Sequence, residues 1–404
     1  MMSASWATTG GRMAPPLRRG LMFATLATVA WIGWRDGPTP GAPRRLSATP
    51  VQSTLVAANE EAAIHRESWV DPVDHTPSAH SCSTTILPNG DVMAVWFGGT
   101  REGAADVAIF TARYDGRRGE WSAPARVVDR MTARAELGRP VRKVGNAVIF
   151  ADQAGTVWLM YVTVTVGGWS GSTLNVKTSR DAGRTWSASE RLTLNPFFNL
   201  SSLVRNKPVF ADDGRIGLPI YHEMATTYAQ MLWLTPGANG RLADYAVRSL
   251  VGTKGVIQPA VVPGSGGRAI MVLRDHGPRR RLHSAHSMDN GWTWTTPVGG
   301  TLPNPDAATD ALRLRDGRLL LVYNHATSGR ANLRLAVSAD EGRSWIQGPM
   351  IEDEAGREFS YPCLSEDAHG RIHLTYTWRR QRIKHVEFNG AWLRQALAAE
   401  AGKP

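Results

Sequence analysis

The chain has 404 residues, of which 42% are hydrophobic and 20% are charged, a composition that excludes a disordered, collagen-like or multi-span membrane protein. Its 15 Trp, 40 Gly and 24 Pro favour many short strands and turns, so we expect an all-β protein. The net charge of +11 does not indicate nucleic-acid binding, because residues 1–50 hold six Arg against one Asp and no Lys/Arg-rich block follows them.

The amino terminus predicts a targeting segment. Arg18 and Arg19 precede an uncharged apolar run, residues 21–34, which has the length of a signal-peptide core rather than of a membrane span. We expect residues 1–35 to be a signal peptide or an uncleaved signal anchor, with the run 21–34 tethering the protein to the inner membrane in the second case. Residues 36–62 are rich in Pro, Ala, Thr and Ser and predict a flexible linker. The folded part is expected to be exported, to the periplasm or the cell exterior.

Two repeating patterns follow the predicted linker. The phrase S-x-D-x-G-x-[ST]-W occurs at 179–186, 287–294 and 338–345; its Asp and Gly suit a tight turn, and its Trp suits the hydrophobic layer beneath. Gly-containing turns between apolar runs recur six times, at residues 88–91, 152–155, 212–215, 264–267, 315–318 and 367–370. Six such units, each of about four strands, predict a six-bladed β-propeller over residues 63–395.

The repeated phrase resembles the Asp box of the sialidase-like BNR-repeat propeller family, and the likeness covers residues 65–390. Three further stretches resemble the bacterial predicted-neuraminidase branch of that family: WFGGTREG at 96–103, IQPA at 257–260 and YTW at 376–378. The resemblance implies a propeller that acts on an acidic sugar such as sialic acid.

The predicted site lies on the propeller face opposite the Asp boxes. Loops of a propeller alternate between two faces, and the inner strands begin on the face that the boxes do not occupy. Loops and strand entrances there hold several Arg, whose planar guanidinium binds a carboxylate through two hydrogen bonds. We therefore predict an acidic glycan or oligosaccharide as the partner. The predicted substrate-binding residues are Arg101, Trp169, Arg205, Lys207, Arg274, Asp275, Asn324, Arg330 and Trp378.

The resemblance also implies roles for individual residues. Sialidases hold the sugar carboxylate with three Arg and, unlike most glycosidases, attack with a Tyr, which a Glu assists while an Asp serves as acid/base. Arg274 and Arg330 resemble the second and third arginines, and Tyr361 resembles the nucleophile. Glu102 and Asp106, on the blade-one loop, are the acid/base candidates.

This chain departs from the family pattern at two places. The family's first arginine lies in an F/Y-R-I-P motif that opens blade one, where this chain has Ala-His-Ser-Cys at 79–82. The Glu that normally opens blade four is replaced by Gln258, which cannot accept the proton of Tyr361. His80 is the candidate to replace the missing base, because its ordinary pKa lies near neutral pH.

Three functions remain open from the sequence. The favoured one is an exo-acting glycoside hydrolase that removes an acidic sugar such as sialic acid. A polysaccharide lyase is the first alternative: an Arg would neutralise a uronate carboxylate while His80 or Tyr361 moves the protons. The second alternative is a propeller that binds acidic glycans without turning them over, and the presence of groups able to transfer protons favours an enzyme over this binder.

The remaining expectations concern cofactors and cysteines. No cofactor and no metal site are predicted, since neither a thiolate cage nor a phosphate-binding glycine loop is present in the sequence. We expect a monomer that binds no nucleic acid. Cys82 and Cys363, the two cysteines, are expected as buried free thiols, with a bridge between blades one and six as the alternative.

Overall fold

The structure is a computed structural model that describes residues 41–48, 62–71, 75–195 and 199–402. The predicted signal or anchor segment, 1–35, lies outside these residues. Within the described ranges, no helix is both long enough and apolar enough to cross a membrane.

The described strands form six antiparallel sheets, which confirms the all-β six-bladed propeller. In chain order they are β1 (Leu46–Ser47) and β2 (His65–Trp69); in blade one β3 (Ser78–Ile86), β4 (Val92–Gly99), β5 (Ala108–Asp115), β6 (Glu120–Trp121) and β7 (Ala125–Asp129); in blade two β8 (Lys143–Ala151), β9 (Val157–Val164), β10 (Ser172–Ser179) and β11 (Glu190–Arg191); and in blade three β12 (Leu203–Val204), β13 (Val209–Ala211), β14 (Ile216–His222), β15 (Tyr228–Pro236) and β16 (Leu242–Ser249). Blade four holds β17 (Val256–Pro263), β18 (Ala269–Asp275), β19 (Arg281–Ser287) and β20 (Val298–Pro303); blade five holds β21 (Asp310–Arg313), β22 (Leu319–Tyr323), β23 (Asn332–Ser338) and β24 (Ile346–Asp353); and blade six holds β25 (Phe359–Glu366), β26 (Arg371–Trp378) and β27 (Arg382–Asn389).

The amino-terminal strand β2 completes blade six. It pairs with β27 so that His65 lies opposite Phe388 and Trp69 opposite Lys384. The strand order of this sheet is therefore β25-β26-β27-β2, and the two ends of the propeller sequence are joined by hydrogen bonds within one sheet.

The three repeated phrases form turns between the third and fourth strands of blades two, four and five. In the first, Gly183 N–H donates to Ser179 Oγ at 2.7 Å and Thr185 N–H donates to the Asp181 carboxylate at 2.9 Å. Gly183 has a φ of 78°, a conformation that glycine adopts without strain. The same contacts recur at Ser287 and Asp289 and at Ser338 and Asp340, which explains why these residue types repeat.

Part of the predicted linker 36–62 is not a free linker. Leu46 and Ser47 form β1 and pair with Ala211 and Phe210 of blade three. The backbone N–H groups of Arg44 and Arg45 donate to the Asp212 carboxylate at 3.2 and 3.1 Å. This pairing depends on a distant strand edge, so the Pro- and Ala-rich composition did not indicate it.

The described residues also form two α-helices, which the strand-and-turn pattern of the sequence did not predict. Helix α1 (Arg130–Leu137) follows blade one and is held by an ion pair of 2.5 Å between Glu136 and the buried Lys177. Helix α2 (Gly390–Ala401) begins at Asn389, whose side chain accepts a hydrogen bond from Trp392 N–H at 3.0 Å. It runs past residue 395, the predicted end of the propeller, and packs against β24.

The inner strands surround a central cavity of about 280 Å³ that is lined by residues from all six blades, Lys207 and Asp310 among them. Cys82 and Cys363 are both buried and present as free thiols. Burial raises the pKa of the Cys82 thiol to about 12, so it stays protonated and unreactive.

Candidate functional site

Four inner strands carry a β-bulge near their first residues. The register of β3, β8, β17 and β25 breaks there, and the central residue of each break has a positive φ. These residues are Ser81 (54°), Asn146 (43°), Gln258 (52°) and Tyr361 (53°). A bulge redirects a side chain out of the regular alternation of a strand, and a non-glycine residue at positive φ is strained. The repeated strain marks the face opposite the box turns as the site.

Hydrogen bonds join blades two to five around this face. The Tyr221 hydroxyl accepts from Asn146 Nδ2 at 3.2 Å and from Gln258 Nε2 at 3.1 Å. Arg274 donates to Gln258 Oε1 at 2.9 Å and to Asp306 Oδ1 at 2.6 Å. Gln258 therefore bridges a tyrosine and an arginine, using both ends of its amide.

The same chain of contacts continues through blades five, six and one. Arg330 donates to the backbone carbonyl of Asp306 at 2.9 Å and lies 3.3 Å from Glu358. Arg380 donates to Glu358 at 2.6 Å and to Glu102 at 2.7 Å.

Trp169 closes the chain of contacts back to blade two. Its Nε1 donates to Glu102 at 3.3 Å, and its ring lies over Gly145, where a Cβ atom would come within 2.5 Å of the ring. We call this series of contacts, which begins at Asn146 and ends at Trp169 of the same blade, the hydrogen-bonded circuit. It places one or more polar groups from every blade around a common axis.

Tyr361 lies at the centre of the site. The His80 ring packs edge-on against it with 4.6 Å between ring centroids. The guanidinium carbons of Arg205 and Arg330 lie over the Tyr361 ring at 5.2 and 5.5 Å from its centroid. The structure thus brings together four residues that the sequence predicted, each from a different blade, and a fifth, Arg274, through the circuit.

Charges alternate along the circuit, and one arginine stands apart from them. Arg274 is paired with Asp306, Arg330 with Glu358, and Arg380 with Glu358 and Glu102. Arg205 is 2% exposed, donates to the Pro362 carbonyl at 2.8 Å, and has a buried Nε with no hydrogen-bond partner in the described ranges. No carboxylate among the described residues contacts it to balance its positive charge.

The surroundings shift the pKa values of the circuit residues in opposite directions. Burial alone would lower the pKa of Arg274, but Tyr361 and Asp306 outweigh burial and raise it. Burial alone would raise the pKa of Glu358, but hydrogen bonds from Arg380 and Ser360 hold it below its usual value. Both groups are consequently charged at neutral pH.

His80 is neutral in this environment. It is 2% exposed, and neither ring nitrogen has a hydrogen-bond partner among the described residues. Burial, followed by the charges of Arg380, Arg330 and Arg205, lowers its pKa well below the usual value. A buried neutral imidazole with two unused nitrogens can donate one hydrogen bond to a ligand and accept another.

The two acid/base candidates differ in their surroundings. Glu102 is part of the circuit, bound by Arg380 and Trp169, and its Oε2 lies 3.8 Å from His80 Nε2. Asp106 is exposed and accepts hydrogen bonds from Thr100 N–H at 2.8 Å and Thr100 Oγ1 at 2.6 Å. These bonds lower the pKa of Asp106 and give it the role of bracing its own loop.

Other predicted substrate-binding residues are not gathered around Tyr361. Asp275 is fully buried and accepts from the backbone N–H groups of Gly277 and Arg280, so it shapes its own loop. Asn324 is fully buried and donates to the Phe359 carbonyl at 2.8 Å.

Lys207 lies 2.5 Å from Asp310 and lines the central cavity. Arg101 is exposed. Trp378 is half-buried, packed edge-on against Trp69 at 5.1 Å and covered by the Arg379 guanidinium at 4.0 Å from its centroid.

Several residues of the site had no role assigned from sequence: Asn146, Tyr221, Glu223, Asp306, Glu358 and Arg380. Asn146 could have been recognised from the sequence by its position, because it lies near the first residues of an inner strand, as Gln258 and Tyr361 do. The others become recognisable only when neighbouring blades are placed side by side. Within the described residues, no group of three or more His, Cys, Asp or Glu side chains is arranged to hold a metal ion.

The model of the BNR repeat-like domain matches residues 90–374. The chain therefore belongs to the BNR repeat-like, sialidase-like family. No curated protein matches it.

Solved structures with the same fold include a Hadza microbial sialidase (TM-score 0.67, 18% identity, 81% of this chain and 69% of that chain). A protein of unknown function from Dyadobacter fermentans is also similar (TM-score 0.63, 16% identity, 80% of this chain and 99% of that chain). The intramolecular trans-sialidase from Ruminococcus gnavus is a third (TM-score 0.62, 14% identity, 81% of this chain and 97% of that chain). At these identities the similarity shows the fold.

Proposed function

We propose that this protein is an exo-acting glycoside hydrolase of the sialidase type, which removes an acidic sugar such as sialic acid from glycans. The observation that carries the proposal is the position of Tyr361. It is held at a strained bulge on the propeller axis, with His80, Arg205 and Arg330 against its ring. A tyrosine nucleophile requires nearby positive charge, and these arginines supply it.

The charge distribution supports an acidic substrate. Arg274, Arg330 and Arg380 are already matched by carboxylates, whereas Arg205 forms no ion pair with any described residue. One unmatched guanidinium suits one carboxylate on the substrate. Arg205 lies in blade three and would bind the substrate carboxylate in place of the arginine that is missing from blade one.

Gln258 is proposed to position the neighbouring groups and not to move a proton. Its Nε2 donates to the Tyr221 hydroxyl and its Oε1 accepts from Arg274. Tyr361 would therefore enter the reaction as a phenolate that the surrounding guanidinium groups stabilise, without a carboxylate base beside it.

A lyase is the second candidate, and the contact between His80 and Tyr361 favours it. A neutral imidazole and a phenol in contact could remove a proton from a uronate and return one to the leaving oxygen. In that reaction an arginine would neutralise the uronate carboxylate.

A product screen distinguishes these functions. The full chain is incubated with sialosides and with uronate-containing oligosaccharides, and the products are weighed by mass spectrometry. We expect fragments that together gain one water, with free acidic sugar among them. Fragments that gain no water but contain a new double bond would identify a lyase, and bound but intact substrate would identify a glycan-binding propeller.

Tyr361→Phe is the matching variant. We expect it to abolish turnover while the melting temperature stays within a few degrees of wild type, because a single hydroxyl is lost from a half-buried ring. Unchanged turnover would rule out the tyrosine mechanism.

We also propose that the protein acts outside the cytoplasm. Arg18, Arg19 and the apolar run 21–34 support export. Cell fractionation tests this, and recovery of the full-length chain in the cytoplasm of healthy cells would contradict it.

A further inference from the structure

Glu223 lies in the first loop position after β14, at the face that holds the site. Tyr221, two residues earlier, contributes its hydroxyl to the hydrogen-bonded circuit. Because β14 ends at His222, Glu223 follows the strand directly, at the edge of the circuit that Tyr221 joins. Its backbone N–H donates to Ser201 Oγ at 2.7 Å, which fixes the loop.

The Glu223 carboxyl differs from the other acids of the site. Asp306, Glu358 and Glu102 are each bound by an arginine, and Asp106 is bound by Thr100. Among the described residues, the Glu223 carboxyl forms neither a hydrogen bond nor an ion pair. Its oxygens are therefore available to a ligand.

The charged neighbours of Glu223 come from three blades. Burial raises its pKa and Asp306 adds to this, while Arg274 and His276 lower it, and the net effect is a raised pKa. Burial and Glu223 together raise the pKa of Tyr221, so Tyr221 and Glu223 are neighbours. The pKa of Glu223 is thus raised, whereas the pKa values of Asp306, Glu358 and Asp106 are lowered.

We propose that Glu223 is the general acid/base of the reaction, an assignment that rests on the hydrolase function proposed above. The Glu223 O–H proton passes to the departing glycosidic oxygen as its bond to the anomeric carbon breaks and the Tyr361 phenolate oxygen bonds to that carbon. The Glu223 carboxylate then takes a proton from the water that attacks the anomeric carbon. That attack releases Tyr361 as the phenolate, and the starting protonation states return.

The test is Glu223→Gln, which keeps the size of the side chain and removes its proton. It is measured on two sialosides, one with a sugar as leaving group and one with 4-nitrophenol, which leaves without protonation. We expect kcat/KM to fall about 100-fold or more on the first substrate and less than about 10-fold on the second, since positioned acid catalysis contributes about 100- to 10,000-fold. The alkaline limb of the wild-type pH profile, which reports the acid, should disappear in the variant.

Glu102→Gln is the matched control. Because it removes the negative charge that pairs with Arg380, we expect it to lower kcat/KM on both substrates by a similar factor and to keep the alkaline limb. If Glu102→Gln instead shows the leaving-group dependence, or if Glu223→Gln lowers kcat/KM equally on both substrates, the assignment of Glu223 is overturned.

Failure of the assignment is distinguishable from failure of the proposed function. Wild-type protein that releases no sugar from either sialoside would overturn the hydrolase itself. Wild-type protein that hydrolyses both, with Glu223→Gln equally active and folded by its thermal transition, would overturn the role of Glu223 alone.

Discussion

Arg205 shows how a single buried residue can define what a site accepts. Its guanidinium is almost entirely buried, its Nε has no partner in the described part of the chain, and it contacts the Tyr361 ring. A buried charge is costly unless something compensates it. An anionic ligand of the proposed kind would supply that compensation, so we expect affinity and charge selectivity both to depend on this residue.

Arg205→Met is expected to weaken binding of a carboxylate sugar about 10- to 100-fold, the range for one hydrogen bond to a charged group. It should change binding of the corresponding methyl ester much less. Arg205→Lys keeps the charge but loses the planar guanidinium group, so its affinity for the carboxylate sugar should lie between those of the wild type and Arg205→Met. Calorimetric titration with acid and ester measures the difference, and equal losses for both ligands would contradict the role of Arg205 as the carboxylate site.

Gly145 determines where the Trp169 ring lies. A Cβ atom at this position would meet the ring at 2.5 Å, closer than van der Waals contact allows. We expect Gly145→Ala to displace Trp169 from Glu102, to cost about 1–3 kcal/mol as overpacking does, and to alter tryptophan fluorescence. Gly168→Ala, in the loop that carries Trp169, has no atom within 4 Å of its new Cβ and is the control; equal effects of the two changes would contradict the steric explanation.

At the scale of elements, a buried polar cluster holds together the blade that closes the ring. His373 and His385, on β26 and β27, are joined at 3.0 Å between ring nitrogens. His385 also contacts Ser68 of β2 at 3.0 Å and Trp121 of blade one at 3.2 Å. The cluster therefore links both ends of the propeller sequence to blade one.

This cluster predicts a loss of stability in mild acid. Burial, followed by His373, lowers the pKa of His385 well below 6.5, whereas the unfolded chain binds a proton there near pH 6.5. Below pH 6.5 the unfolded state therefore binds a proton at His385 that the folded state does not bind. The free energy of unfolding falls there by up to about 1.4 kcal/mol per pH unit. Stability is full above pH 6.5 and declines as the pH drops towards the folded-state pKa.

Urea unfolding at pH 7.5 and 5.5 measures this dependence. His385→Gln should flatten the pH dependence relative to wild type, although it loses stability at both pH values. His369→Gln changes an exposed residue and should leave the slope unchanged. A slope that stays the same in His385→Gln would show that the acid sensitivity arises elsewhere.

Elements differed in how far the sequence could predict them. The blades were predictable because each box turn uses local hydrogen bonds, such as Asp181 with Thr185, that leave a pattern in eight residues. Strand β1 was not, because the partner of Leu46 is Ala211. Helix α1 depends on the pairing of Glu136 with a lysine 41 residues away, which no local pattern encodes.

The same distinction holds for the site. Tyr361, Arg274 and Arg330 follow from matched motifs, and the structure brings them together. Glu223 and Glu358 are ordinary loop acids in the sequence, and their importance depends on what neighbouring blades place beside them. Asp275 was predicted to bind substrate as part of a loop on the site face, but the structure places it at the end of β18, where it is fully buried.

At the scale of the whole molecule, the pairing of β2 with β27 sets the order in which the protein can be assembled. Ile64 and Asn389, which flank this pair, are hydrogen-bonded across 325 residues of chain. Closing a loop of that length costs about 5 kcal/mol of chain entropy, and contacts of such separation form slowly. Strand β2 must therefore remain unpaired by β27 until that last strand has emerged from the ribosome, so the newborn protein passes through an open ring whose exposed strand edge can recruit other chains.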